Sequence, residues 1–198
     1  TIINNFSIEI GLSERIGIVG TTGTGKSTLM DIMMGLQKPT AGEIFIDDHP
    51  LNGYEAIDLW HKNIAHVPQE IILINNTILR NIAFAIPDDE INYELVYHCS
   101  KLAQIHDFIQ SLPAKYNTYI GENGSSLSGG QRQRLAIARA LYRKPRFIFL
   151  DEATSALDST TEENLLELIT SITDNDMSII MIAHRQTSID ACQKIIQL

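Results

Sequence analysis

The sequence predicts an α/β fold: a parallel sheet covered by helices on both faces, with a helical subdomain inserted in its middle. Two late segments, FIFL (147–150) and SIIMIA (178–183), are apolar throughout and have a helical stretch between them, as strands buried on both sides require. Near the start, a strand runs into GTTGTGKST (20–28) and then into a helix. From Thr77 to about Leu112 the apolar spacing becomes helical, which interrupts the strand pattern with a separate helical block.

Taken in order, Phe6, Ile8 and Ile10 alternate with Ser7 and Glu9, the period of a half-buried strand. Arg15 to Val19 is a second strand ending in glycine, and Lys26 to Leu36 is a helix. The turn formers of KPTAGE lead to a strand over Glu43 to Asp47, and IAHVPQ, Ile64 to Gln69, is a strand brought to its end by Pro68. In the helical block, Leu95, Val96, Cys99, Leu102, Ile105, Phe108 and Ile109 form one stripe. Leu135, Ile137, Ala138 and Leu141 mark one packed face of a helix that begins at a glycine pair, and a further helix is expected near Glu162 to Ile172.

With 198 residues, 44% of them hydrophobic, the chain can bury a core of one domain. Its formal net charge of -9 argues against broad attraction to nucleic acid or to anionic membranes, so any phosphate it binds belongs to a local site. Cys99 and Cys192 are far apart and form no CxxC pair, which fits reduced buried thiols rather than a disulfide framework or a zinc site. No apolar run approaches the ~20 residues that span a bilayer, so the chain as given is expected to be soluble. It begins without Met and stops at KIIQL in mid-pattern, as expected of a piece of something larger.

GTTGTGKST satisfies GxxxxGK[ST] between a strand and a helix, the setting in which glycines let backbone N–H groups curl around phosphates. Lys26 would reach the β- and γ-phosphates, and the Ser27 hydroxyl would coordinate Mg²⁺. FIFLDE places Asp151 and Glu152 at the C-terminal end of a buried strand, where ligands bind in open α/β sheets. Neighbours on a strand point opposite ways, so Asp151 can face the metal while Glu152 turns toward an attacking water.

A second glycine pair lies in LSGGQRQRLAIARAL (127–141). Ser128, Gly129 and Gly130 open the backbone at a helix start, an arrangement suited to another phosphate. From Ser125 to Leu150 there is no Asp or Glu, yet Arg132, Arg134, Arg139, Arg143, Lys144 and Arg146 all fall there. Their interleaving with apolar residues reads as a packed helix rather than a nucleic-acid surface.

These motifs together resemble the ATP-binding cassette (ABC) ATPases over almost the whole chain. The loop residues Gly20, Thr21, Thr22, Gly23, Thr24, Gly25, Lys26, Ser27 and Thr28 are similar to the family's Walker A, Gln69 to its Q-loop, and Leu127 to Gln131 to its signature. FIFLDE resembles Walker B, Ser155 to Asp158 the D-loop, and His184 the switch histidine. The resemblance implies a P-loop NTPase fold with a mostly parallel core sheet and an antiparallel β edge. It implies a core over about 1–69 and 146–198, with a helical signature subdomain over about 70–145. It further implies ATP and Mg²⁺, with Ser27, Gln69 and Asp151 at the metal, and Glu152, His184 and Lys26 in catalysis. Two such domains pair head to tail in this family, so Ser128, Gly130 and Gln131 would act on the partner's ATP, and Gly129 and Asp158 are expected among the nucleotide-binding residues as well.

The element GENG, with Glu122, and the segment TILRNIAFA (77–85) look most like exporters, which implies a transmembrane domain as partner and a place on the cytoplasmic face of a membrane. An importer ATPase or a soluble non-transport relative is the alternative. The short span from Gln69 to Ser128 excludes relatives that carry long coiled-coil insertions there. The aromatic that stacks adenine in this family would precede Thr1, and Tyr54, Trp60 and Tyr116 read as packing or interface residues.

Overall fold

The computed structural model describes residues 3–151, 167, 170 and 177–198. Five strands form one sheet: β1 (Arg15–Val19), β4 (Ile64–Val67), β5 (Phe147–Leu150), β6 (Ser178–Ile182) and β7 (Lys194–Gln197). Their order is β4-β5-β6-β1-β7, and every neighbouring pair is parallel. The remaining strands, β2 (Phe45–Ile46) and β3 (His49–Pro50), make a small antiparallel hairpin.

Alternation along the strands divides the core into two layers. On one face Ile16, Ile18, Phe149, Ile180 and Ile182 pack with Leu29, Met30 and Trp60. These come from α1 (Lys26–Met33) and α2 (Gly53–Asn63). Trp60 is held there by its indole N–H, which donates to the Met33 carbonyl at 3.0 Å, and by Phe147, 5.2 Å from its ring.

On the other face Ile148, Leu150, Ile179 and Met181 pack against α6 (Gly129–Tyr142), and this cluster continues without a break into the helical region. That region comprises α3 (Ile78–Ile82), α4 (Tyr93–Leu102) and α5 (His106–Ser111). A short helix, α7 (Gln186–Asp190), follows β6. Among the described residues no helix is long and apolar enough to cross a membrane.

The predicted strand over Phe6 to Ile10 is not a strand: no ladder forms there. Phe6 and Ile10 pack against the first cluster while Ile8 is 39% exposed, so the apolar positions that count are four apart. The stripe of the helical block is real but broken. Val96 and Cys99 lie in α4 and Ile109 in α5, with Gln104 between them at φ 51°.

Candidate nucleotide site at the C-terminal edge of the sheet

Four neighbouring strands deliver their following residues to one edge. Val67 of β4 faces Leu150 of β5, Leu150 faces Met181 of β6, and Ile182 faces Ile18 of β1. The ladder extends one step further, since Asp151 N donates to Val67 O and Ala183 N to Ile18 O, both at 3.0 Å. Gln69, Asp151, His184 and Gly20 therefore stand one or two residues beyond the ends of four adjacent strands. At about 4.8 Å per strand, the outer two are roughly 14 Å apart, within the reach of one triphosphate and its side-chain contacts.

The loop after β1 is shaped by its glycines and closed by Lys26. Gly25 enters α1 at φ 100°, a left-handed conformation that disfavours any side chain. Thr24 accommodates the turn by bonding the Thr21 carbonyl through both N–H (3.3 Å) and Oγ1 (2.9 Å). Lys26, 7% exposed, donates its ammonium to the carbonyls of Gly20 at 2.9 Å and Thr21 at 3.0 Å. Thr22, Gly23 and Ser27 line the open side.

The amides of Lys26, Ser27 and Thr28 belong to the first turn of α1, and the earliest helical bond in this turn comes from Leu29 N to Gly25 O at 2.8 Å. No acidic residue occupies that turn, so its partial positive charge is not offset locally. Across the edge, desolvation holds the imidazole of His66 in β4 below the ordinary range, against the opposing pull of the Asp151 and Asp31 carboxylates.

The second helix start is built differently. Ser128 caps α6, its side chain accepting from Gln131 N at 3.3 Å while Ser128 N donates to Gln131 Oε1 at 2.9 Å. The serine hydroxyl acts there as an acceptor, which leaves its proton able to point outward. Ser128 and Gly129 are exposed, and a side chain at Gly129 would meet nothing within 4 Å. Gly129 and Gly130 thus present first-turn amides on an accessible surface.

Three of the six basic side chains in the stretch from Ser125 to Leu150 bond within the chain. Arg132 donates to Leu127 O at 2.8 Å, Arg134 to Gln104 O at 3.0 Å, and Arg139 to Ile72 O at 2.8 Å and twice to Asn81. These contacts, with the bond from Leu73 N to Asn123 Oδ1 at 3.0 Å, were not foreseen from the sequence. Only the glycines flanking Asn123 hinted at it, since Asn both tolerates a left-handed turn and bonds backbone groups with its side chain.

Glu152, Asp158 and the rest of 155–158 lie outside the described residues, as does most of the helix expected near 162–172. Among the described residues no group of three or more His, Cys, Asp or Glu could hold a metal by itself. A site of Ser27 and Asp151 completed by phosphate oxygens needs no such cage, because Mg²⁺ is commonly bound by one or two protein oxygens plus substrate.

Residues 3–155 match the family described as ABC transporter. The leukotoxin translocation ATP-binding protein LktB of Mannheimia glucosida is 42% identical over 196 residues, 99% of this chain and 27% of that protein. The alpha-hemolysin translocation ATP-binding protein HlyB of Escherichia coli O157:H7 is 42% identical over 195 residues, 98% of this chain and 27% of that protein. Heavy metal tolerance factor 1 of Caenorhabditis elegans is 42% identical over 188 residues, 95% of this chain and 23% of that protein. The chain thus spans about a quarter of the length of these relatives. Among solved structures, a bacterial Atm1-family ABC exporter with ATP bound superposes with a TM-score of 0.87 at 36% identity, covering 100% of this chain and 34% of that one.

Proposed function

The chain belongs to the ABC transporter family, and from that premise we propose that it is the ATP-hydrolysing domain of an exporter. It works as one half of a dimer on the cytoplasmic side of a membrane and drives a membrane-spanning part. The observation that carries this reading is the shared edge, where the loop with Lys26, Asp151, Gln69 and His184 arrive on adjacent strands. The exporter with ATP bound, similar along this whole chain, supports it further. Two of the relatives are named for toxin translocation and another for heavy metal tolerance.

In this reading Gly20 to Thr28 hold the phosphates through backbone amides, and Lys26 turns its ammonium from the loop carbonyls to the β- and γ-oxygens. Ser27, Asp151 and Gln69 would hold Mg²⁺, which would neutralise charge on the phosphate oxygens. Glu152 takes the proton of the attacking water, and His184 orients that water and the γ-phosphate. Ser128, Gly129, Gly130, Gln131 and Asp158 close over the partner's nucleotide. In the same reading the nucleotide-holding core would take in about 1–69 and 146–198, and the helical subdomain about 70–145.

Glu152→Gln tests the proposal in the full-length protein that carries this chain. ATP binding is expected to persist while turnover is lost and an ATP-bound dimer accumulates. Normal steady-state ATPase activity in that variant would reject the assignment.

A further inference from the structure

The segment that follows Gln69 and the segment that precedes Ser128 run antiparallel in one register. Ile78 N donates to Thr118 O at 3.0 Å, Thr77 faces Tyr119 in an isolated bridge, and Ile120 N donates to Asn76 O at 3.2 Å. Each step forward along the first segment is matched by a step back along the second. The same register predicts that Leu73 faces position 123, and there Leu73 N donates to Asn123 Oδ1 at 3.0 Å. The backbone at Asn123 has turned into the left-handed region (φ 49°, ψ 30°), and its side-chain amide takes over where the main chain leaves the pairing.

The strip next to this bond is held on both sides. Ile72 O accepts from Arg139 of α6 at 2.8 Å, while Ile74 N and O both bond the Asn81 amide at 3.0 Å. Leu73 is 3% exposed and packs where Gly124 has no side chain, since a Cβ there would stand 2.7 Å from Leu73 Cδ1. Residues 72–74 therefore meet α6, α3 and the turn before the signature as one tight unit.

We propose that Asn123 is a positioning residue for ATP turnover: its amide splices the strip after Gln69 to the turn before Ser128, so that displacement of one is passed to the other. This rests on the exporter reading above, in which Gln69 serves the chain's own nucleotide and Ser128 the partner's. Asn123 then links the two nucleotide sites of the dimer through each protomer.

Asn123→Gly keeps a residue at ease with positive φ and removes only the amide, whereas Asn123→Asp keeps an acceptor oxygen in place. In the full-length protein, Asn123→Gly is expected to lower kcat about two- to tenfold, the effect of one net hydrogen bond. The Hill coefficient for ATP should fall toward that of independent sites, with KM and Tm close to wild type. Asn123→Asp should retain wild-type behaviour. Unchanged kcat and cooperativity in Asn123→Gly, or equal impairment of both variants, would overturn the proposal.

Hydrogen exchange separates this outcome from failure of the functional reading, because it requires no turnover. Asn123→Gly should speed exchange at Leu73 and also at Gln131 and Arg132, whose amides bond the Ser128 side chain and carbonyl. If wild type shows no ATPase activity yet both sites respond, the exporter reading fails and the splice stands. If exchange at Gln131 and Arg132 is unaltered, the splice itself is rejected.

Discussion

Arg139 and Asn81, 58 residues apart, are joined twice: the guanidinium Nε donates to the Asn81 carbonyl at 2.8 Å and Nη2 to its side-chain Oδ1 at 2.7 Å. Asn81 is fully buried, and its own amide nitrogen donates to Ile74 O and Thr77 O, both at 3.0 Å. Arg139 also lies over the Phe84 ring, 5.1 Å from its centroid. A planar fork serving three acceptors has no equivalent in an ammonium group.

Arg139→Lys is therefore expected to lose bonds to the buried Asn81, whose Oδ1 keeps only the Ile74 N–H, and to lower stability by about 1–3 kcal/mol. A urea titration of the isolated domain or full-length protein should show a lower midpoint at an unchanged m-value. An unaltered midpoint would show that these bonds contribute no net stability.

Ser128 has two separable roles. Ser128→Ala removes the cap of α6 and should cost about 1 kcal/mol in unfolding experiments. Ser128→Asp keeps a capping acceptor and adds a favourable charge at a helix start, so stability should hold. Its carboxylate would nonetheless repel a partner's γ-phosphate, and light scattering should find no ATP-dependent dimer. A normal dimer in that variant would place the partner's nucleotide elsewhere.

For Lys26→Ala, loss of a charged hydrogen-bond donor at the phosphates predicts ATP affinity weaker by roughly 10- to 100-fold. Titration calorimetry on the purified protein reads this directly. ATP binding within twofold of wild type would remove Lys26 from the proposed cradle.

Burial pushes the thiols of both Cys99 and Cys192 from about 9 up to about 11. At pH 8 the thiolate fraction, and with it the rate of alkylation by iodoacetamide, should be about 100-fold below that of an unfolded thiol. Because the folded chain keeps these protons longer than the unfolded one, stability should fall as pH rises from about 9 toward about 11. Rapid alkylation of the native protein would contradict both expectations.

Much of the site was legible because its chemistry is contiguous in sequence. The loop between β1 and α1, and Asp151 after an unbroken apolar strand, each declare themselves within ten residues. Helix α2 was missed because its apolar residues do not all share a face: Ile57 and Trp60 turn inward, whereas Tyr54 and Leu59 are 96% and 64% exposed. Asn81, Asn123 and Arg139 were invisible for another reason: each is a single polar residue whose meaning lies in a partner brought near only by folding. Glu152 and Asp158 remain readings of the sequence, outside the described residues.

The strand order also dictates when a growing chain can become competent for nucleotide. β1 leads into the glycine loop, yet both of its neighbours, β6 and β7, follow it by more than 150 residues: Arg15 pairs with Ile179 and Ile16 with Lys194. A nascent chain leaves RIGIV without its sheet partners until those two segments follow. Of the described strands, the one that opens into the glycine loop is thus the one that waits longest for its neighbours.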